Sequence, residues 1–251
     1  MTSKLSLANL SATLSEKESH LDLLICNAGI AGTKAPIPQE EEDSSSSSSS
    51  STTTSSAKEI AASLWKKESP SQWVDVFDTN VTAVYFTALA FLPLLQGQTL
   101  TTSSNQNSHN KENKKNENES TPGNIITTSS MSGLMKNSQG HFAYNAAKAA
   151  TIHLTKMMST EFIRTGIRIN SIAPGYFPLE MTTGGSDERS NKSVMSDEDV
   201  SVKKKGHAVP AGRAGRDEEM AMACLFLARN RYVNGDVVVV DGGVLGAVPG
   251  G

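Results

Sequence analysis

Two cysteines in 251 residues, Cys26 and Cys224, are too few for a disulfide framework or a metal-ligand set. Each lies inside an apolar pattern, so they read as small buried residues in a reducing compartment. Long apolar runs are missing as well. The stretch VTAVYFTALAFLPLL stops at Gln96, short of the ~20 residues that span a bilayer, which gives no membrane partner. The opening stretch MTSKLSLANLSATLSEKESH has neither the continuous apolar centre of a signal peptide nor the arginine-rich character of a transit peptide. A cytoplasmic location is the expectation. Basic excess is absent too: a net charge of −3 and a pI near 6.0 give no long-range pull toward nucleic acid or an anionic membrane. Only a local basic site for a small anion remains open.

Hydrophobic residues reach only 37%, because residues 39–56 and 97–122 hold almost none. The first is an acidic cluster followed by a serine-threonine tract, and the second is rich in Asn, Ser and Lys. Neither can bury enough apolar surface to offset its ordering entropy, so both are expected to be disordered insertions. Glu112, Glu117 and Glu119 interrupt the lysines of the second, which contains no aromatic residue, and this argues against a nucleic-acid role. What is left suits one domain over residues 1–251. Residues 176–209 show no firm periodicity and read either as a lid over a site or as a third solvated insert.

The remaining stretches alternate between two periods. Leu5, Leu10 and Leu14 mark a short amphipathic helix, and residues 21–26 (LDLLIC) an apolar strand that runs into Asn27-Ala28-Gly29. Ser69-Pro70 starts a helix by the cap-then-proline rule, with apolar positions continuing to Leu95. Asn80 sits in its middle among apolar neighbours and therefore requires partners. Residues 123–128 (GNIITT) resume the sheet, residues 141–165 form a helix rich in alanine, and residues 168–172 (RINSI) form a strand closed by a turn at Ala173-Pro174-Gly175. A helix over residues 217–228 and the strand DVVVV at residues 236–240 complete the order. Strands apolar on both faces, alternating with helices, predict an α/β fold with a parallel sheet covered on both sides.

Within this frame, residues 130–148 (SMSGLMKNSQGHFAYNAAK) carry chemistry. If Tyr144 opens a helix, the i, i+4 spacing puts Lys148 on the same face one turn away. A phenol is a poor acid-base group near neutral pH, and a neighbouring ammonium is expected to lower its pKa. Tyr-x-x-x-Lys alone fits any helix with a packed tyrosine and a solvated lysine. Its weight comes from company.

That company resembles the short-chain dehydrogenase/reductase family from about Leu21 to Gly243. The carriers are Asn27-Ala28-Gly29 after a strand, Asn80 in the next helix, Ser130, Tyr144 and Lys148, then Pro174-Gly175 and Asp241-Gly242-Gly243 after the last strands. The wording around Gly175-Tyr176-Phe177-Pro178 and residues 210–217 is similar to fungal 3-oxoacyl-carrier-protein reductase-like members. The resemblance implies a Rossmann-like doubly wound sheet, a carbonyl or secondary alcohol as small-molecule substrate, and NADP or NAD as cofactor, with NADP slightly favoured. It implies Tyr144 as proton donor, Lys148 as its partner and holder of the nicotinamide ribose, Ser130 on the reacting oxygen, and Asn80 anchoring a proton-relay water. It further implies Asn27, Ala28 and Gly29 along the adenosine ribose, Pro174, Gly175 and Phe177 at the nicotinamide amide, and a homo-oligomer pairing through the Asn80 and Tyr144 helices.

Two departures accompany it. The Thr-Gly-x-x-x-Gly-x-Gly turn that the family uses for the cofactor's phosphates occurs nowhere in the sequence, and no helix is expected after Gly242-Gly243-x-x-Gly246 to take its place. Leu179 stands where the family usually has Ser or Thr, with Thr182 and Thr183 nearby. The expectation is thus an incomplete sheet lacking its first two βα units, with an apolar edge at residues 21–26 open to pairing. Two functional readings follow: an NAD(P)-dependent oxidoreductase, or a truncated, inactive family member or incomplete gene model acting at most as an interaction partner.

Overall fold

The computed structural model describes residues 3–37, 55–96, 123–178 and 209–247. Most of the segments at 39–56, 97–122 and 176–209, together with Leu179, Thr182 and Thr183, therefore lie outside the described residues. Four strands form one parallel sheet in the order β1 (Leu23–Cys26), β2 (Asn124–Thr128), β3 (Arg168–Pro174) and β4 (Val237–Val240). The sheet alternates its faces with period two. Leu24, Cys26, Ile125 and Ile169 pack toward one helical layer, while Leu23, Ile126, Ile172, Val238 and Val240 pack toward the other.

The first layer contains α1 (Lys4–Ser15), a long helical stretch from Pro70 to Gln96, and α5 (Phe142–Glu161). The stretch consists of α3 (Pro70–Phe77), a π-helical turn (Asp78–Thr82) and α4 (Ala83–Gln96). Ser69 and Gln72 form a reciprocal capping box at its start, with Pro70 in the first turn as the sequence predicts. By length and composition this stretch is apolar enough to cross a membrane. In the fold it is a core helix, with Val84, Ala88, Phe91 and Leu95 buried against β1, β2 and α5.

The second layer is α6 (Asp217–Arg229), which buries Ala223 and Leu227 on β2 to β4. The Arg168 guanidinium closes its carboxyl end by donating to the carbonyls of Leu227 and Ala228. A short helix α7 (Val244–Ala247) follows β4.

The structure corrects the sequence expectations in four places. Helix α2 (Ala57–Lys67) was not anticipated, although Ser56 and Glu59 form a capping box. β3 runs two residues further than expected, through Ala173 and Pro174 paired with Val239 and Val240, because the proline's missing N–H falls at the strand end and Gly175 N supplies the next bond to Val240 O. β4 is only half-buried, with Val239 40% exposed, because it is an edge strand of the described sheet. A helix does follow Gly243. β1 forms the other edge, with Ile25 43% exposed.

Candidate active site

The aligned register brings the carboxyl ends of all four strands to one side, where open α/β sheets bind ligands. After β2 the chain stays extended at Ser130, whose Oγ accepts from Ser132 N at 3.1 Å and starts a short turn over Met131–Gly133. A Cβ at Gly133 would stand 2.6 Å from the Lys148 carbonyl carbon. Glycine there lets the turn press onto α5. This contact carries Ser130 to Tyr144, close enough for its hydroxyl to favour the phenolate. One turn along, Lys148 is 3% exposed; its Nζ donates to Thr128 O at 2.8 Å and stands 5.7 Å from the Tyr144 ring centroid. Ala143 and Ala147 let this face of α5 sit close against Val76 and the π-helical turn.

The electrostatics differ from the expectation. Burial pushes the Tyr144 phenol above its ordinary value, and the neighbouring Ser130 hydroxyl only partly offsets this. Lys148 does not lower it. Its ammonium stands 5.7 Å from the ring centroid, and burial pulls Lys148 itself down to about 8. Near neutral pH the pair is thus a neutral phenol, ready to donate a proton, next to a lysine close to its titration point.

The partners that Asn80 requires come from the loop after β1. Its Oδ1 accepts from Ile30 N at 3.1 Å, its Nδ2 donates to Ile30 O at 2.8 Å, and its carbonyl accepts from Thr151 Oγ1 at 2.8 Å. The π-helical register aims this fully buried side chain out of the helix. Gly29 fits between Asn80 and Lys148: a Cβ there would stand 2.7 Å from Asn80 Oδ1 and 3.2 Å from Lys148 Nζ. Asn27 and Ala28 lie exposed at the same strand end.

On the other side of the site, Pro174 ends β3, and Gly175 packs so closely on Asp241 that a Cβ would stand 2.6 Å from its Cα. Phe177 is buried against Gly215. A cavity of about 270 Å³ opens here, lined by Tyr176, Phe177, Arg213 and Asp241 among others, and Tyr144 is not in its wall. Ser130, Tyr144, Lys148, Asn80 and Gly29 are therefore one cluster. Pro174, Gly175 and Phe177 form a second.

The donor set fits the nicotinamide end of a dinucleotide. Lys148 spends one of an ammonium's three donors on Thr128 O, leaving others for ribose hydroxyls. The phosphate end has no counterpart among the described residues. α7 does not supply one, because the Asp241 carboxylate already accepts from Gly243 N at 2.8 Å and Leu245 N at 2.7 Å. Of the two cysteines expected to be buried, Cys26 is, its thiol pushed up to about 12, while Cys224 is only half-buried.

Three participants escape sequence reasoning. Thr128 contributes a backbone carbonyl, which no side-chain pattern reveals. His141 places its ring 6.5 Å from that of Tyr144 at 70°. Gln139 reaches Tyr176, with only the Ser138-Gln139-Gly140 turn composition as a signal.

Comparison with known proteins points to one family. The family model described as Enoyl-(Acyl carrier protein) reductase matches residues 110–245. The short-chain dehydrogenase/reductase PhomF' of Diaporthe leptostromiformis is 34% identical over 99% of this chain and 73% of its own length. The 3-oxoacyl-acyl-carrier-protein reductase FabG of Chlamydia muridarum is 35% identical over 72% of this chain and 60% of its own. Among solved structures, the RhlG/NADP active-site complex of Pseudomonas aeruginosa superposes with a TM-score of 0.63 at 26% identity, covering 97% of this chain and 73% of that one.

Proposed function

Because the chain belongs to the short-chain dehydrogenase/reductase family, we propose that it interconverts a carbonyl and a secondary alcohol with NAD(P) as cofactor. The carrying observation is that Ser130 adjoins the Tyr144 hydroxyl while the Lys148 Nζ stands 5.7 Å from the Tyr144 ring centroid. In the reducing direction the neutral Tyr144 phenol donates its proton to the carbonyl oxygen, and Ser130 holds that oxygen. Bound NAD(P)H supplies the hydride. Lys148 holds the nicotinamide ribose; Pro174, Gly175 and Phe177 meet the nicotinamide amide, and Asn27, Ala28 and Gly29 line the adenosine ribose.

Reprotonation of Tyr144 runs past Lys148 toward a water on Asn80. Ile30 takes one lone pair and one N–H of the Asn80 amide, and Thr151 takes one lone pair of its carbonyl, so that water is held by the capacity these atoms keep. We place the protein in the cytoplasm as a single domain, with residues 176–209 shaping the pocket. It pairs through the Asn80 and Tyr144 helices, where Val74, Tyr85 and Met157 are exposed; sedimentation velocity reads this directly.

The test is NADPH consumption with a panel of ketones. Tyr144→Phe removes it in a protein that still folds, and unchanged turnover in that variant would refute the assignment. A second reading, an inactive chain that acts through interactions, is favoured by the absence of a Thr-Gly-x-x-x-Gly-x-Gly turn from the sequence. Titration of NADPH fluorescence separates the two readings: saturable binding supports the enzyme, and none at millimolar cofactor supports the inactive chain.

A further inference from the structure

Gln139 is the one non-glycine residue with a positive φ among the described residues, at +52°. Such a conformation persists only where the surroundings over-determine it. They do so here. Gln139 N donates to Asn137 Oδ1 at 2.8 Å, Gly140 N to Ser138 Oγ at 3.2 Å, and His141 N to Ser138 O at 2.8 Å. From α5, Asn145 Nδ2 reaches back to Asn137 O at 3.0 Å. Gly140 O accepts from Ala35 N at 2.7 Å, and a Cβ at Gly140 would stand 2.9 Å from Pro36 N. The turn is thus pinned to α5 on one side and to the loop after β1 on the other.

What this turn presents is the Gln139 side chain, whose Nε2 donates to the Tyr176 hydroxyl at 2.8 Å. Tyr176 lies between Gly175 and Phe177, and its carbonyl accepts from Gly215 N at 2.8 Å. A strained backbone therefore aims one amide from the entry of the Tyr144 helix to the segment after β3. These are the two clusters described above.

We propose that Gln139 is a positioning residue that couples them, holding residues 175–177 against the start of α5 so that proton donor and cofactor share one frame. This deepens the functional reading and rests on its assignment of Gly175 and Phe177 to the cofactor. Gln139 touches neither substrate nor cofactor in this role. It acts through Tyr176.

Gln139→Leu and Tyr176→Phe each remove the bond, and Gln139→Glu restores it by accepting from the Tyr176 hydroxyl. In the full chain, amide hydrogen exchange over residues 138–142 and 175–177 and KM for NADPH against kcat are measured for each variant and for the pair. Either single change is expected to speed exchange in both segments and to raise KM about tenfold, the worth of one hydrogen bond near a binding site. The expected change in kcat is less than about twofold, with Gln139→Glu close to wild type and the pair no worse than either alone. Faster exchange confined to the substituted segment, or KM effects that multiply in the pair, overturns the coupling. If the wild-type chain turns over no ketone, the functional reading fails, and exchange alone still decides whether the two segments are coupled.

Discussion

The ends of β2 and β4 are built alike and do different things. Each strand runs into a short helical turn whose first backbone amides are capped by the residue at the strand end. After β2 the cap is Ser130, which accepts from Ser132 N. After β4 it is Asp241, which accepts from Gly243 N and Leu245 N. The Ser130 hydroxyl keeps a donor and a lone pair beyond its cap, and it stands close enough to Tyr144 to favour the phenolate. Asp241 uses one lone pair of each carboxylate oxygen on a backbone amide and, when ionised, has no proton to donate. Site chemistry resides where the cap can still donate, and where it only accepts the same device is scaffolding.

The sharpest way to break that contrast is Ser130→Ala. Loss of a donor aimed at the reacting oxygen is expected to cut turnover by ~10²-fold or more, while loss of the cap costs roughly 1 kcal/mol of stability. Ketone reduction and urea unfolding on the same preparation separate the two. A Ser130→Ala enzyme at wild-type rate would make both strand ends structural.

Next in size is the pH dependence of stability. Lys148 is depressed from 10.5 to about 8 by burial. Above 10.5 both folded and unfolded chains carry a neutral amine, so its contribution is fully present there and is lost as the pH falls through 8. Tyr144 is raised and works in the opposite sense, its contribution present below the ordinary value of 10.0 and lost as the pH rises beyond it. Stability is therefore expected to climb from about pH 8 toward pH 10 and then turn over. The full Lys148 term is about 3 kcal/mol as an upper figure. In Lys148→Met the climb disappears, and urea midpoints at half-unit pH intervals record it. A variant that climbs as steeply as wild type would mean the ammonium is not buried in solution.

The strand ends were legible in the sequence because short apolar runs stop at small or hydroxylated residues; spacing put Tyr144 and Lys148 on one helix face, and the family resemblance joined Ser130 to them. Asn80 was readable as a polar residue in need of partners, but not its partner Ile30, because the π-helical register that aims it is fixed by tertiary packing on α5. The direction of the Tyr144 shift was misread for a related reason. Spacing puts an ammonium one turn away, but only the fold decides that it lies over the ring and that burial outweighs charge. Helix α2 escaped notice because its Ser56–Glu59 box adjoins a serine-threonine tract that masks its start. Gln139 left almost no trace, since its role depends on one long-range bond and on a backbone angle that the surrounding turn enforces.

The smallest effect tests the scaffolding half of the contrast. α7 has four residues and cannot hold itself together by its own hydrogen bonds. It is held by two amide bonds to Asp241 and by Val244, which is fully buried beside Met131 and Met135 of the other strand-end turn. Asp241→Ala removes both bonds while keeping the Cα and Cβ on which Gly175 packs. A cap of this kind is worth about 1 kcal/mol, which for a chain of this size lowers Tm by roughly 2–4 °C. Turnover is expected to stay within about twofold of wild type, because Asp241 stands in the wall of the cavity that Tyr144 does not line and, as an acceptor only, has no proton to donate. If Asp241→Ala lost activity as Ser130→Ala does, a donor left over at the cap would no longer tell the catalytic strand end from the structural one.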